Sequence, residues 1–263
     1  MPTLRIDRKK CSQGGRCVDE CPIYLIEMGD DGYPEMVPEA EELCINCGHC
    51  KAICSPGALY LNDKCAQDCQ MVDDSLHVSK EEVIEMFKTR RSIRKYEDKK
   101  VSRAELEQLL EISRWVPSTR NCQPVHWLVI ESEETMKDLI NMSVDWLKKH
   151  ENFSRIAHRH ERGEDVVFRG APHLLVAYAY KDNWNPDVDC AIATASIEVA
   201  LPSFGLGGCW AGIFLYAVRN SPEIVEYLRL PAHHDIYGAL MLGYPTYEYK
   251  YIPSRNEVRA RWF

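Results

Sequence analysis

The sequence has 263 residues, of which 45% are hydrophobic and 27% charged, a balance typical of a globular protein with more than one domain. Its formal net charge of −8 leaves no broad basic field for a nucleic acid or an anionic membrane surface. No apolar run approaches the roughly 20 residues that span a bilayer, and the opening segment lacks the hydrophobic stretch of a signal peptide. We therefore expect a cytoplasmic protein with no nucleic-acid and no membrane partner.

The N-terminal part of the chain is rich in cysteine, with seven of the twelve cysteines between Cys11 and Cys54. Disulfides fit such short, regular spacings poorly in a reducing compartment, whereas metal ligands fit them well. The chain aligns with itself at an offset of 33 residues, and this pairs Cys11 with Cys44, Cys17 with Cys50, and Cys21 with Cys54. The second copy has the CxxCxxCxxxC spacing of bacterial two-cluster ferredoxins, in which the fourth cysteine serves the other cluster.

This crossover predicts two ligand sets. One [4Fe–4S] cluster takes a complete set of four thiolates, Cys21, Cys44, Cys47 and Cys50. Gly14 stands where the first copy should have its second cysteine, so that Cys11, Cys17 and Cys54 remain for the second site. That site is predicted to hold a [3Fe–4S] cluster, a [4Fe–4S] cluster with a non-cysteine or distant ligand, or no stable cluster.

Two questions stay open at this stage. Cys65 and Cys69 follow closely, and each is either the distant ligand or an ordinary free thiol. A structural zinc site is the main competing interpretation of the cysteines, although zinc requires neither the duplication nor the longer step before the last cysteine.

The rest of the chain shows regular secondary-structure patterns. Capping boxes at Ser79 with Glu82 and at Ser102 with Glu105 predict two helix starts. Strands are predicted at 127–130, 174–180 and 236–242, helices near 134–149, 188–204 and 221–229, and a polar insertion, lid or solvated loop at 150–165. This alternation indicates a central sheet covered by helices.

An arginine cluster follows the first of these helices. Arg90 and Arg94 share a face in either a helix or a strand, and Ser92 joins them if the segment is extended. Guanidinium groups bind phosphate bidentately and a serine hydroxyl adds a donor, so this cluster suits a phosphate, with a solvated basic helix end as the alternative. The glycine run at 205–208 lacks the third glycine of a dinucleotide fingerprint because Trp210 occupies its position, which disfavours a Rossmann site.

Six segments in this part resemble, in order, the motifs of the nitroreductase superfamily, over about residues 80 to 263. They are RRSIRKY (90–96), PSTRNCQP (117–124), GAP (170–172), GLGGCW (205–210), LGYP (242–245) and PSR (253–255). The resemblance implies an FMN-binding α/β/α domain with a central, mainly antiparallel sheet. The predicted fold class is α+β, with a ferredoxin-like iron–sulfur domain at 1–75 and the nitroreductase-like domain at 76–263.

The resemblance also implies the FMN-binding residues. These are Arg90, Arg91, Ser92, Arg94 and Arg255 around the phosphate, with Lys250 as a further candidate, Pro117, Ser118, Thr119, Asn121 and Gln123 at the isoalloxazine edge, and Ala211, Gly212 and Ile213 near the flavin N5. It implies a domain-swapped homodimer with the flavin at the interface and with residues of the 121–124 segment supplied by the partner subunit. His126 and Tyr178 are expected to pack in the core, with a place near the site as the alternative, and no catalytic acid or base is named.

The combination predicts an FMN-dependent oxidoreductase with two kinds of redox centre, iron–sulfur clusters and a flavin. Iron–sulfur clusters carry one electron each and flavin holds two, so the chain would pass electrons from the clusters to FMN and on to a small organic acceptor such as a nitroaromatic, a quinone or an activated alkene. Two alternatives remain: an FMN-dependent dehydrogenase that gives electrons to a ferredoxin or another redox protein, and a non-catalytic electron-transfer component of a complex.

Overall fold

The computed structural model describes residues 3–263. The chain forms two compact units. The first consists of the residues up to His77 together with Arg120–Cys122, and the second consists of Val78–Thr119 and Gln123–Phe263.

The first unit is built from short elements. They are strands β1 (Leu4–Ile6), β2 (Ile26–Met28), β3 (Pro34–Met36) and β4 (Leu59–Leu61), helices α1 (Arg16–Asp19), α2 (Ala40–Leu43) and α3 (His49–Ala52), and 3-10 turns at Ala66–Asp68 and Asp74–Leu76. β1 pairs antiparallel with β4, and β2 with β3. The apolar cluster of this unit is small and includes cysteine side chains among its members, such as Cys50 beside Leu59 and Leu61. Burial alone stabilises so small a unit weakly.

The backbone of this unit repeats with the offset of the cysteines. α1 and α3 begin 33 residues apart, as do β2 and β4. Each helix follows a glycine in the left-handed region, Gly15 (φ 68°) and Gly48 (φ 76°). Gln13 and Asn46 also share a left-handed backbone. The duplication in the sequence is therefore a duplication of turn geometry as well.

The second unit is larger and mixes helices with one antiparallel sheet. Its strands are β5 (His126–Ile130), β6 (His173–Tyr180), β7 (Gly207–Trp210) and β8 (His234–Gly243), and its helices are α4 (Lys80–Thr89), α5 (Arg103–Ile112), α6 (Glu133–Lys148), α7 (Ser154–Glu161), α8 (Pro186–Ala200), α9 (Gly212–Asn220) and α10 (Pro222–Tyr227). Shorter 3-10 turns lie at Ser113–Trp115, Thr119–Asn121, Glu151–Phe153 and Leu201–Phe204. The strand order is β5-β6-β8-β7, and every neighbouring pair is antiparallel.

Helices cover both faces of this sheet because side chains alternate along the central strands. In β6, Leu174 and Val176 pack into one apolar cluster with α6 and α9, while Leu175 packs into a second cluster with α5 and α8. The two clusters form the α/β/α layers. This arrangement confirms the α+β prediction and its mainly antiparallel sheet.

The predicted helix starts have the expected caps. The Ser79 hydroxyl accepts a hydrogen bond from the backbone N–H of Glu82 at 3.2 Å, and the Glu82 carboxylate accepts one from the Ser79 N–H at 2.8 Å. Ser102 and Glu105 form the same reciprocal pair. Each box satisfies two backbone donors that have no partner within the helix.

Two elements differ from the sequence expectation. The polar segment 150–165 contains α7, because Phe153, Ile156 and Ala157 among its charged residues pack against the core. The segment is thus partly a docked helix rather than only an insertion, lid or loop. The glycine run was not predicted as a strand, yet Gly207–Trp210 forms β7 at an edge of the sheet. Within residues 3–263, the helices are too short or too polar to cross a bilayer.

Candidate functional site

One small cavity in the first unit collects the four cysteines predicted as a complete ligand set. Its lining includes Cys21, Cys44, Cys47 and Cys50. Apolar side chains such as Ile26 and Leu61 complete the wall. Burial, with smaller contributions from the three neighbouring thiolates, raises the pKa of Cys50 to about 11. A metal cluster that binds here therefore displaces protons from thiols as it forms.

A second cavity, of about 380 Å³, collects the remaining three cysteines, Cys11, Cys17 and Cys54. Burial raises the pKa of Cys17, and the charges of Cys54 and Cys11 add to that effect. Gly14 lines the same cavity. A Cβ atom added to Gly14 would meet only the Ser12 hydroxyl oxygen, at 3.5 Å, which is ordinary van der Waals contact. The position of the missing fourth cysteine is thus at the cavity and has space for a side chain.

The two later cysteines lie in a local turn. Cys65 is buried, its thiol donates to the Gln67 side-chain oxygen at 2.9 Å, and its backbone N–H donates to Asp68 at 2.7 Å. The Cys69 thiol donates to the Cys65 carbonyl at 3.7 Å. Neither residue lines either of the two cysteine cavities. Over residues 3–263 no three His, Cys, Asp or Glu side chains are grouped to hold a single metal ion.

In the second unit, the arginine motif borders a cavity of about 440 Å³. Arg90 and Arg91 line it together with the glycine run 205–208 and Pro245. One guanidinium nitrogen of Arg91 donates to the carbonyls of Lys88 and Arg90 at 2.8 and 2.6 Å. The Nε atom of Arg91 is buried and has no hydrogen-bond partner among the described residues. Two guanidinium groups therefore border this cavity, and one buried N–H of Arg91 has no partner among the described residues.

A carboxylate that the sequence analysis did not identify lies at the same cavity. Glu198, on α8, is 9% exposed and accepts from Arg90 Nη1 at 3.0 Å. Its second carboxylate oxygen accepts from Trp210 Nε1 at 3.1 Å. A buried carboxylate is stable only when its oxygens are paired, and both are paired here.

The glycines at this cavity are required by close packing. Ile93 N–H donates to the Gly208 carbonyl at 2.8 Å, and Ser92 forms an isolated bridge with Gly208. A Cβ atom at Gly207 would lie 2.3 Å from Ile93 Cγ1, and one at Gly208 would lie 2.5 Å from Leu201 Cδ1. Glycine thus allows the arginine motif to lie directly against β7.

Arg94 and Ser92 influence the pKa of Cys209, the residue that follows Gly208 in β7. Burial raises the pKa of Cys209, whereas the Arg94 charge and a hydrogen bond from Ser92 lower it. Arg169 acts in the same direction as Arg94. Arg94 and Ser92 do not line the 440 Å³ cavity itself. Arg169 was not a predicted site residue, although it directly precedes the Gly170–Pro172 motif.

The segment predicted at the isoalloxazine edge is anchored by a buried acid. Asp189, on α8 and 2% exposed, accepts from the Thr119 backbone N–H at 2.9 Å and from its hydroxyl at 3.2 Å. The Gln123 N–H donates to the Ser118 hydroxyl at 2.9 Å. Pro117 directly precedes this turn.

The same segment has an unusual backbone. Arg120, Asn121 and Gln123 all lie in the left-handed region, with φ of 52°, 53° and 47°. Such conformations cost roughly 1 kcal/mol or more for non-glycine residues, and they persist only where the surroundings impose them. Within the first unit, Asn121 Nδ2 donates to the Ile45 carbonyl at 3.1 Å.

The remaining predicted residues are placed as follows. Ala211 is buried, its N–H donates to Ala239 at 2.9 Å, and Gly212 and Ile213 begin α9 directly after it. Arg255 and Lys250 lie in the exposed segment after β8 and do not line the 440 Å³ cavity.

One role assigned from the sequence is wrong. His126, the first residue of β5, is exposed rather than part of the core, and burial increases along the strand to Ile130. Its ring stacks on Tyr178, which is partly buried, with centroids 5.3 Å apart. His126 and Tyr178 are direct cross-strand neighbours at one end of the β5–β6 pairing.

The two units of the chain match two different families of known proteins. The family model described as "Nitroreductase family" matches residues 87–244, and the one described as "4Fe-4S dicluster domain" matches residues 10–59. A "Putative NADH dehydrogenase/NAD(P)H nitroreductase" of Archaeoglobus fulgidus is 31% identical over 168 residues, which cover 64% of this chain and 88% of that protein.

Two further proteins resemble one part each. The solved nitroreductase with bound FMN from Bacteroides fragilis is 26% identical with a TM-score of 0.56, and the match covers 68% of this chain and 95% of that one. A "Ferredoxin 7Fe" of Hydrogenibacillus schlegelii is 40% identical over 47 residues, 18% of this chain and 55% of that protein. The nitroreductase match spans more than half of the chain. The protein therefore belongs to the nitroreductase family, as an oxidoreductase that also carries a 4Fe-4S dicluster domain.

Proposed function

We propose that this protein passes electrons from two iron–sulfur clusters to bound FMN and on to a small organic acceptor of the nitroaromatic, quinone or activated-alkene type. The observation that carries the proposal is the sorting of seven cysteines into a set of four and a set of three, each around its own cavity. A pure flavin reductase has no need of either set. When bound, the clusters would supply one-electron transfer and the flavin two-electron reduction.

The four-cysteine cavity would hold a [4Fe–4S] cluster. Four thiolates complete its ligand set, and the apolar wall shields the cluster from water. The Leu25 N–H, which donates to the Cys21 sulfur at 3.2 Å, would stabilise the anionic cluster.

The three-cysteine cavity would hold a [3Fe–4S] cluster. Cys11, Cys17 and Cys54 supply three thiolates, and Gly14 offers no fourth. The similarity of this part to a protein named "Ferredoxin 7Fe" supports the assignment, since one cluster of four irons and one of three make seven. Because Cys65 and Cys69 are engaged in their own turn, we assign them no ligand role.

The arginine motif would hold the FMN phosphate. Arg90 and Arg91 contribute charge at the cavity, the buried Nε of Arg91 is an unused donor, and Ser92 and Arg94 follow directly. The resemblance to a nitroreductase solved with bound FMN supports this choice of cofactor. The turn of Pro117, Ser118, Thr119, Asn121 and Gln123 and the loop of Ala211, Gly212 and Ile213 would contact the flavin ring, and Arg255 would complete the phosphate site.

A homodimer would complete the site. α4 has no buried residue although it carries Val83, Ile84 and Phe87, and Phe87 is 59% exposed. The chain ends in an exposed aromatic tail in which Trp262 is 93% exposed. A second copy of the chain would cover these apolar groups and bring Arg255 to its partner's flavin. Light scattering on the holoprotein should give twice the mass of one chain.

The side chains of the proposed site would bind and orient the flavin, and none of them is assigned as a proton donor. The arginines would fix the phosphate end, and the left-handed turn at 120–123 would present its amides at a fixed angle because its backbone is held in place.

Anaerobic purification with iron, inorganic sulfide and FMN counted per chain tests the cofactors. We expect about seven irons and about one FMN per chain. Material that lacks sulfide, or that contains zinc instead of iron, would refute the cluster assignment.

Turnover tests the reaction. Chemically reduced protein should reduce a quinone or a nitroaromatic faster than the same amount of free FMN. Rates equal to those of free FMN would indicate an electron carrier, and reduction of an added ferredoxin by a substrate would indicate the reverse direction of flow.

A further inference from the structure

Helix α8 is mainly apolar, yet it buries a carboxylate at the arginine cavity. Glu198 is 9% exposed, and Ile197 beside it is fully buried. Desolvation of a carboxylate in such a place is unfavourable unless strong hydrogen bonds offset it. Its presence therefore requires an explanation from the groups that it binds.

Those groups belong to two different segments of the proposed FMN site. Glu198 Oε1 accepts from Arg90, the first residue of the phosphate motif, at 3.0 Å. Glu198 Oε2 accepts from Trp210 Nε1 at 3.1 Å. Trp210 is the last residue of β7 and directly precedes the loop Ala211–Ile213 proposed to contact the flavin ring.

We propose that Glu198 is a positioning residue of the flavin site, which holds the Arg90 guanidinium and the Trp210 indole with its two oxygens and so fixes the phosphate end relative to the ring end. The inference rests on the proposed function, because it takes Arg90 and the loop after Trp210 to be FMN contacts. Glu198 itself touches neither the phosphate nor the ring in this role.

The pairing leaves Arg90 able to bind a phosphate. A guanidinium has five N–H donors, and the hydrogen bond to Glu198 uses one of them. Arg91 lines the same cavity and adds a second guanidinium, while Glu198 and Glu248 are the two carboxylates among the lining residues. Glu198 thus restricts the orientation of Arg90 and leaves the other donors of its guanidinium for the anion.

Glu198→Gln and Trp210→Phe separate the two hydrogen bonds. The glutamine keeps the size of the side chain but offers one acceptor oxygen instead of two. Its NH₂ group then faces one of the two donors, Arg90 or Trp210, that the carboxylate had paired. The phenylalanine removes the indole N–H together with one ring of the side chain, and it leaves the Glu198 carboxylate unchanged. Asp187→Asn is the matched control, because Asp187 is an exposed carboxylate on the same helix and does not line the cavity.

Affinities of the flavin-free dimer for FMN and for riboflavin, which lacks the phosphate, give the decisive readout. Trp210→Phe should weaken both ligands by the same factor. Glu198→Gln should weaken riboflavin binding by the same factor as Trp210→Phe does. Its loss of FMN affinity should exceed its loss of riboflavin affinity by at least about tenfold, the loss expected for one hydrogen bond to a charged group. Asp187→Asn should change neither affinity.

Folding of each variant is checked by circular dichroism and thermal unfolding. A folded Glu198→Gln protein with an unchanged ratio of FMN to riboflavin affinity, or with tighter FMN binding, would overturn the inference. If Glu198→Gln does not fold, the affinities of Trp210→Phe provide the test. Unchanged affinities for FMN and riboflavin in that variant would overturn the inference. Wild-type protein that binds no FMN would instead refute the proposed function.

Discussion

Replacement of Gly14 by cysteine should convert the three-cysteine site into a four-cysteine site. Gly14 aligns with Cys47 of the second copy at the offset of 33 residues. It lines the cavity that contains Cys11, Cys17 and Cys54. A cysteine at this position would supply the thiolate that the first copy lacks, and so allow a fourth iron to bind.

The structure predicts that the substitution is tolerated. The nearest atom to a Cβ at Gly14 is the Ser12 hydroxyl oxygen, at 3.5 Å, and Gly14 is not among the glycines with a left-handed backbone. Replacement of glycine at such a position restricts the unfolded chain and contributes about 0.4–1 kcal/mol to stability. The main effect is therefore on the metal, with the iron count rising from about seven to about eight per chain.

Iron and sulfide analysis of anaerobically purified protein, with electron paramagnetic resonance of the oxidised form, measures this change. The paramagnetic signal of an oxidised [3Fe–4S] cluster should be present in the wild type and absent in Gly14→Cys. Gly14→Ala is the control, since it fills the same space without a thiol and should keep the wild-type count. Eight irons in the wild type, or seven in Gly14→Cys, would show that the ligand assignment is wrong.

Three further predictions concern other parts of the chain. Arg94→Ala should weaken FMN retention about tenfold or more with the iron count unchanged, measured by flavin release on dialysis. Cys47→Ala should abolish the [4Fe–4S] absorbance, whereas replacement of the exposed Cys122 should not, as measured in visible spectra. Burial lowers the pKa of His173, whose Nε2 accepts from the Val101 N–H at 2.9 Å, so the folded state prefers the neutral ring. Below about pH 6.5 the unfolded chain binds the extra proton, so the melting temperature should fall with pH, and His173→Gln should reduce that slope.

The choice of Arg94 rather than Arg90 for that test follows from the structure. Arg90→Ala would leave Glu198 as a buried carboxylate without its cationic partner, which costs about 3–5 kcal/mol. Lost flavin would then report unfolding as much as lost phosphate binding. Arg94 is exposed and forms no ion pair within 4.0 Å among the described residues, and its one hydrogen bond is to the Ser92 carbonyl, so its removal leaves no buried charge without a partner.

The grouping of the cysteines around two cavities could be predicted from the sequence because each copy of the repeat is a local turn. The two turns have left-handed residues at equivalent positions, so the cysteines occupy equivalent places in the two copies. The capping boxes of α4 and α5 were predictable for the same reason, since their hydrogen bonds join residues three positions apart.

Elements that depend on distant contacts were harder to predict. α7 has two apolar residues, Ile156 and Ala157, in a polar segment, and with Phe153 just before the helix they become significant only because they pack against the core. β7 consists of Gly207–Trp210 and has little intrinsic preference for a strand, yet pairing with β8 fixes its extended backbone. Both errors follow from tertiary contacts that outweigh local propensity.

Glu198 and Asp189 share a signal that the sequence does contain. Both are acids in a helix whose mean hydropathy is high, and an acid on an apolar helix face requires a partner elsewhere in the fold. The sequence cannot name that partner, because Arg90 lies 108 residues from Glu198, and Thr119 lies 70 residues from Asp189. α8 therefore supplies the two acids that hold two segments of the proposed flavin site. Substitution of either acid should alter flavin binding, although neither acid contacts the flavin itself.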